Sequence, residues 1–420
     1  MVHKTKFMTN PSQTKHMYRS LLFFPLLGFL MVILNHDPQL WQNYQRLLTS
    51  PAVLLSDYVY LFGSSAALLN ASLVFVLNLA LFYMLHVSMN GLFYATLFTV
   101  FGFSFLGMNP INLLPIYLGG YLYTIYNKIE FRSTVLIVVI AGTLGPIISH
   151  LMFGYGFQAF LGILIGIAVG VFLGFIIIPM GRHLLRFHDG FNLYNIGFTG
   201  GILALLFNGA METLSHTAVR VRYLHEVHDP YILAFVFISI LYWFYLSWRI
   251  KQVETYRWKD LFSSSGRAIS DFIEIAGVKT SYMNMAILAL LLSIFILAVG
   301  AHINGLMLAA IYTNLGFGAF GKHLKNTLPV FFGAISASLL LGLPFTSTLT
   351  LSSILFSSTL APIAGYYGWI WGIVAGFSHI FVVGQVGDFY SGLNLYNNGF
   401  AGGLVAFFII NMIQIIRRNK

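Results

Sequence analysis

From Met17 to the C-terminus, apolar runs of 15 to 24 residues recur with only short polar breaks between them. About 20 such residues cross the hydrocarbon core of a bilayer as a helix. Inside that core only helices and closed barrels keep every backbone N–H and C=O paired. Only 8% of the residues are charged, against roughly 25% in soluble domains. The chain therefore reads as an all-α, polytopic integral membrane protein with no soluble domain of any size.

Hydropathy predicts about 14 transmembrane or half-membrane helices. They lie near residues 18–34, 66–87, 91–107, 112–127, 134–153, 157–180, 190–211, 231–248, 282–300, 304–321, 328–342, 349–365, 367–386 and 392–414. The first follows a basic segment and is read as an uncleaved span, since no small-residue cleavage site comes after it. Lys and Arg gather in cytoplasmic loops. With both termini cytoplasmic, nineteen of the 22 basic residues, Lys322 and Lys325 among them, fall on that side, and Arg46, Arg220 and Arg222 fall outside. Topology thus accounts for the net charge of +10, and no nucleic-acid partner is expected. The absence of cysteine excludes disulfides and thiolate metal sites.

The chain is also written twice. SDYVYLFG (56–63) matches SDFIEIAG (270–277), and the same shift of 214 pairs Asn70 with Asn284, Asn90-Gly91-Leu92 with Asn304-Gly305-Leu306, and Asn112, Pro115 and Gly119 with Asn326, Pro329 and Gly333. TLGP (143–146) then meets TLAP (359–362), and GIAVG (166–170) meets GIVAG (372–376). Each unit closes on a dodecamer, GFNLYNIGFTGG (190–201) and GLNLYNNGFAGG (392–403), identical at nine of twelve positions. Four segments result: 1–50 with the first span, repeat 1 at 51–211, a connector with one span at 212–264, and repeat 2 at 265–420. The charge distribution runs equivalent spans in opposite directions, so the two repeats of about six spans are inverted. Inverted repeats place equivalent segments symmetrically about the midplane, where many transporters bind their substrates.

Read as a helix, each dodecamer has two faces. Gly190, Gly197 and Gly201 form a stripe for close packing, and Asn192, Asn195 and Thr199 form a polar stripe nearly opposite. Amides are costly against lipid. Either they cap broken helices and bridge neighbouring spans, or the two copies line a shared polar pathway. The second reading makes Asn192, Tyr194, Asn195, Phe198 and Thr199, with Asn394, Tyr396, Asn397 and Phe400, candidate substrate-binding residues. Amides without charge suit a small neutral polar solute.

In the order TLGP, GIAVG, GFNLYNIGFTGG and again TLAP, GIVAG, GLNLYNNGFAGG, each half resembles urea transporters, over roughly a quarter of the chain. That resemblance implies inverted repeats around a pore near Asn195 and Asn397, with aromatic rings beside it and assembly as homo-oligomers. The LPxxTxPFN signature of that family does not follow either dodecamer, and six spans per unit replace its five. The whole chain resembles an uncharacterised family of bacterial membrane proteins, which implies residence in the cytoplasmic membrane.

Titratable groups within spans are candidates for ion coupling. Asp189 and Asp388 precede the two dodecamers, and either couples transport or serves as a solvated cap. His150 and His379 are possible proton relays, while Asp57 and Asp271 read as helix N-caps. No metal or cofactor motif and no nucleophile–base arrangement occurs, so the chain is not expected to be an enzyme. A channel or transporter for a small polar, urea-like solute is the leading expectation. A proton- or sodium-coupled transporter and a membrane scaffold are the alternatives.

Overall fold

The computed structural model describes residues 11–53, 56–218, 223–250 and 255–418. Two helices and an amphipathic one, α1 (Pro11–Leu21), α2 (Phe23–Asn35) and α3 (Leu40–Leu48), precede repeat 1. Repeat 1 comprises α4 (Tyr58–Met84), α5 (Gly91–Phe103), α6 (Pro110–Tyr126), α7 (Val135–Ile140), α8 (Gly145–Phe153), α9 (Ala159–Leu184) and α10 (Asn195–Thr213). α11 (Pro230–Arg249) and the short α12 (Trp258–Ser263) connect it to repeat 2. Repeat 2 comprises α13 (Phe272–Ala298), α14 (Gly305–Phe317), α15 (Leu324–Leu340), α16 (Thr348–Ser357), α17 (Ala361–Tyr367), α18 (Trp369–Val386) and α19 (Asn397–Arg418). Among the described residues, nine helical stretches are long and apolar enough to cross a membrane, and α5, α14 and α15 are shorter apolar helices.

The repeats meet through reciprocal contacts. Asp57 caps α4 by accepting the Val59 N–H at 2.9 Å, and Asp271 caps α13 by accepting that of Ile273 at 2.9 Å. Each carboxylate also receives the first N–H of a helix in the other repeat: Asp271 that of Gly91 at 2.9 Å, and Asp57 that of Gly305. The Tyr58 N–H donates to the Phe105 carbonyl and the Phe272 N–H to that of Ala319, both at 3.0 Å. Such pairs define a pseudo-two-fold axis.

The direction of that axis follows from α5 and α14. Gly91 lies against Ala319, Gly102 against Ala309, Gly316 against Ala95 and Gly305 against Phe105. The two helices therefore run antiparallel along their whole length. A two-fold relating antiparallel helices is perpendicular to them, so for membrane-crossing helices it lies in the membrane plane and the repeats are inverted. At 1.5 Å per residue each 13-residue helix is about 20 Å long, short of the roughly 30 Å hydrocarbon core. Their ends are accordingly buried in protein. The Asn70 amide donates to the carbonyls of Ser104 and Met108, and the Asn284 amide donates to those of Gly318 and Lys322, at 2.7 or 2.8 Å. In a turn that lipid and water do not reach, these side chains satisfy the carbonyls that the helix ends leave open.

Three local expectations need correction. α4 and α13 begin earlier than hydropathy suggests, because the capped SD segments continue through kinks at Gly63 and Gly277, whose φ of 83° and 82° suits glycine. The dodecamers are only half helical: residues 191–194 are not helical, and α10 and α19 start at Asn195 and Asn397. Lys322 is not on a cytoplasmic surface but completely buried, whereas Lys325 is exposed.

Candidate functional site

The two dodecamers cross at the pseudo-two-fold axis. Gly197 and Gly399 touch backbone to backbone, as a pair of small residues permits. The Tyr194 and Tyr396 rings stack at 4.4 Å, and those of Phe198 and Phe400 at 5.8 Å. The non-helical stretch before each helix is pinned by the TLGP and TLAP turns of the opposite repeat. Leu395 N–H donates to the Thr143 carbonyl at 3.1 Å, and Leu193 N–H to that of Thr359 at 3.0 Å. Those threonines sit where a 3-10 turn and a proline separate α7 from α8 and α16 from α17.

Most of the dodecamer amides serve this junction. The Asn192 amide donates to the Gly399 carbonyl at 2.9 Å, and its oxygen accepts from Tyr194 N–H at 3.1 Å and from the Thr359 hydroxyl. Asn394 repeats the pattern toward the Gly197 carbonyl at 3.2 Å and the Tyr396 N–H at 3.1 Å. Asn195 binds the Gly181 carbonyl and the His188 ring at 2.9 and 3.0 Å, and the Thr199 hydroxyl donates to the Asn195 carbonyl. The helical picture that put Asn192 and Asn195 on one stripe fails, because Asn192 precedes the helix.

The tyrosine stack separates two unlike surroundings. On one side lies a cleft of about 250 Å³, lined by Ser352, Ser353, Ser391, Tyr396, Asn397 and Asn398, with Phe103, Phe356 and Val383 as apolar walls. The Asn397 oxygen accepts from the Tyr390 hydroxyl, and that of Asn398 pairs with the His379 ring at 3.0 Å. The Tyr396 hydroxyl is buried and faces the hydroxyls of Thr99 and Tyr194. Val53 and Leu306, at the start of α14, mark the end of the molecule toward which the cleft lies.

On the other side is Lys322. Its ammonium donates to the Tyr194 hydroxyl, to Asn314 Oδ1 at 2.8 Å and to Ser358 Oγ at 2.8 Å. It sits 4.3 Å from the Tyr194 ring centre and 5.2 Å from that of Phe317. This cluster breaks the pseudo-symmetry. Under the repeat alignment Lys322 corresponds to Met108, Asn314 to Val100 and Ser358 to Gly142, so Tyr194 is held by a polar cluster that Tyr396 lacks. Sequence reasoning missed it because Lys322 was counted as a loop cation. The available signal was a lysine standing where the other copy has a methionine.

The remaining candidates lie apart. The Asp189 side chain is exposed, and its carbonyl accepts from Arg267. The Asp388 side chain falls outside the described residues. His150 Nδ1 pairs with the Ala52 carbonyl at 2.9 Å, and buried His379 belongs to the cleft wall through Asn398. Near the start of α14 the His302 ring lies tilted against that of His228 at 4.4 Å, and desolvation, with the adjacent His228, holds its pKa below the ordinary imidazole value. Among the described residues no group of three or more His, Asp or Glu is placed to hold a metal ion.

A family described as "Protein of unknown function (DUF1576)" matches residues 36–213 and 251–415. The two stretches coincide with the two repeats and omit α11. No curated protein and no solved structure matches the chain.

Proposed function

We propose that this chain, which belongs to the DUF1576 family, is a membrane transporter for a small polar solute that binds in the cleft beside Tyr396. The carrying observation is the placement of that cleft. It adjoins the crossing of two inverted repeats, the arrangement in which solute sites occur at repeat interfaces, and it presents hydroxyls and amides in an otherwise apolar interior. Among the described residues the side chains that line the cleft are uncharged, which suits a neutral, urea-like solute. The amides of Asn192 and Asn394 hold the crossing together, and Ser352, Asn397 and Asn398 take the contact role.

Orientation follows from charge. Arg19, Arg132, Arg186 and Arg267 lie at the end opposite the cleft, which the positive-inside rule assigns to the cytoplasm. The cleft then faces outward and the tyrosine stack closes the inward path. Uptake of labelled urea, formamide and glycerol into proteoliposomes tests the reading, with Ser352→Trp filling the cleft as comparison. Faster entry than into protein-free vesicles, abolished by the tryptophan, supports it. Entry unaffected by that substitution, or no entry of any such solute, overturns it.

A further inference from the structure

Lys322 is the only Lys or Arg among the described residues that is buried, and all of its hydrogen-bond partners are neutral. An intramembrane charge without a counter-charge is costly and marks a functional position more often than a structural one. Packing does not require it, since Met108 occupies the equivalent position of repeat 1 in the equivalent turn, its carbonyl held by Asn70 of α4 as that of Lys322 is held by Asn284 of α13.

The cage around Nζ can accommodate two protonation states. An ammonium has three donors, and three acceptors surround it. A neutral amine keeps two donors and gains a lone pair, which the Tyr194 hydroxyl can fill by reversing its role from acceptor to donor. Ser358 Oγ already has Asn314 Oδ1 and the Leu355 carbonyl, both at 2.7 Å, as alternative acceptors. Either state leaves the hydrogen bonds satisfied. What changes is the hold on Tyr194. The charge-assisted bond to its hydroxyl and the attraction of the cation to its ring exist only when Nζ is charged.

We infer that Lys322 is a proton-binding site that latches the tyrosine stack: protonated, it holds Tyr194 against Tyr396; on release of one proton to water, with the electron pair kept on Nζ, the inward half of the stack is free to part. This rests on the transport reading and makes the transporter proton-coupled. Other titratable groups near the cage are Tyr194 itself, Tyr396 behind it, His323, whose ring turns away to the Ser264 carbonyl at 3.0 Å, and His188, which pairs with Asn195. The elements that carry Asn314, Phe317, Ser358 and Asn284 present no ionisable group to Nζ.

The test needs no solute. Because the chain lacks cysteine, Arg186→Cys and Lys325→Cys, both at exposed positions, can carry a spin-label pair that reports the spacing of the Tyr194 segment from the Lys322 turn. In reconstituted full-length protein, from about pH 5 to about pH 10, a range covering the ordinary histidine and lysine values, the wide-spaced population is expected to rise with pH by up to about tenfold per pH unit, the limit for one proton. Lys322→Arg, always charged, should stay narrow, and Lys322→Met should lose the pH dependence, while His323→Gln and His188→Gln keep it. A spacing in the otherwise unaltered protein that ignores pH, or a dependence that survives in Lys322→Met, overturns the latch. Either result leaves the uptake measurements standing, and a failed uptake screen leaves the spacing measurement interpretable.

Discussion

Asn192 and Asn394 show what a buried amide does at the centre of this molecule. Each reaches across to a carbonyl of the opposite repeat and fixes a backbone N–H of its own segment, and Asn192 takes an additional bond from Thr359. Removing such a side chain leaves buried groups unsatisfied at about 1–3 kcal/mol each. Asn192→Ala should therefore lower the unfolding midpoint in detergent more than Asn394→Ala, and equal losses would deny the third bond its weight. The sequence singled out these residues because a doubled, amide-rich stretch cannot face lipid. It could not say whether their partners were solute or protein, since that depends on Thr143, Thr359 and the glycine carbonyls, which arrive from distant parts of the chain. Lys322 escaped for the opposite reason: hydropathy treats any lysine between two spans as solvated.

At the scale of helices, close approach governs the architecture. A Cβ on Gly174 would lie 2.0 Å from the Ile116 carbonyl, and one on Gly376 1.9 Å from that of Val330, so by contact Gly376 corresponds to Gly174 and not, as the sequence match of GIAVG with GIVAG suggests, to Gly170. Helices in lipid associate through such packing, so α9 against α6 and α18 against α15 depend on these two positions. Gly174→Val and Gly376→Val are each expected to abolish a monodisperse peak in size-exclusion chromatography, while Gly209→Ala, with open space around it, should elute unchanged. The shared caps make a second forecast. Asp271→Ala removes the acceptor of two helix starts, α13 and α5, and with about 1 kcal/mol per cap should cost roughly twice a single cap in thermal stability. Apolar runs and capping residues revealed every long helix and both Asp caps. The service of one carboxylate to two helices, and the unwound first half of each dodecamer, were hidden, because each depends on a partner in the other repeat.

Over the whole molecule, charge and symmetry together set a direction. Ser352→Cys, in the cleft, and Arg132→Cys, at the cation-rich end, should react with a membrane-impermeant maleimide from opposite faces of intact cells; labelling of both from one face would refute the proposed orientation. Inversion itself was readable from the order of matched residues and the alternation of basic loops. The asymmetric heart of the protein was not, since duplication arguments look for likeness and the Lys322 cluster lies in the unlikeness. α11 carries a consequence of its own. Six crossings return the chain to the face it left, so without one odd passage the second copy would enter upright. Asp57 could then never reach Gly305, nor Asp271 reach Gly91. A single helix outside both repeats thus sets the handshake between them, by parity alone.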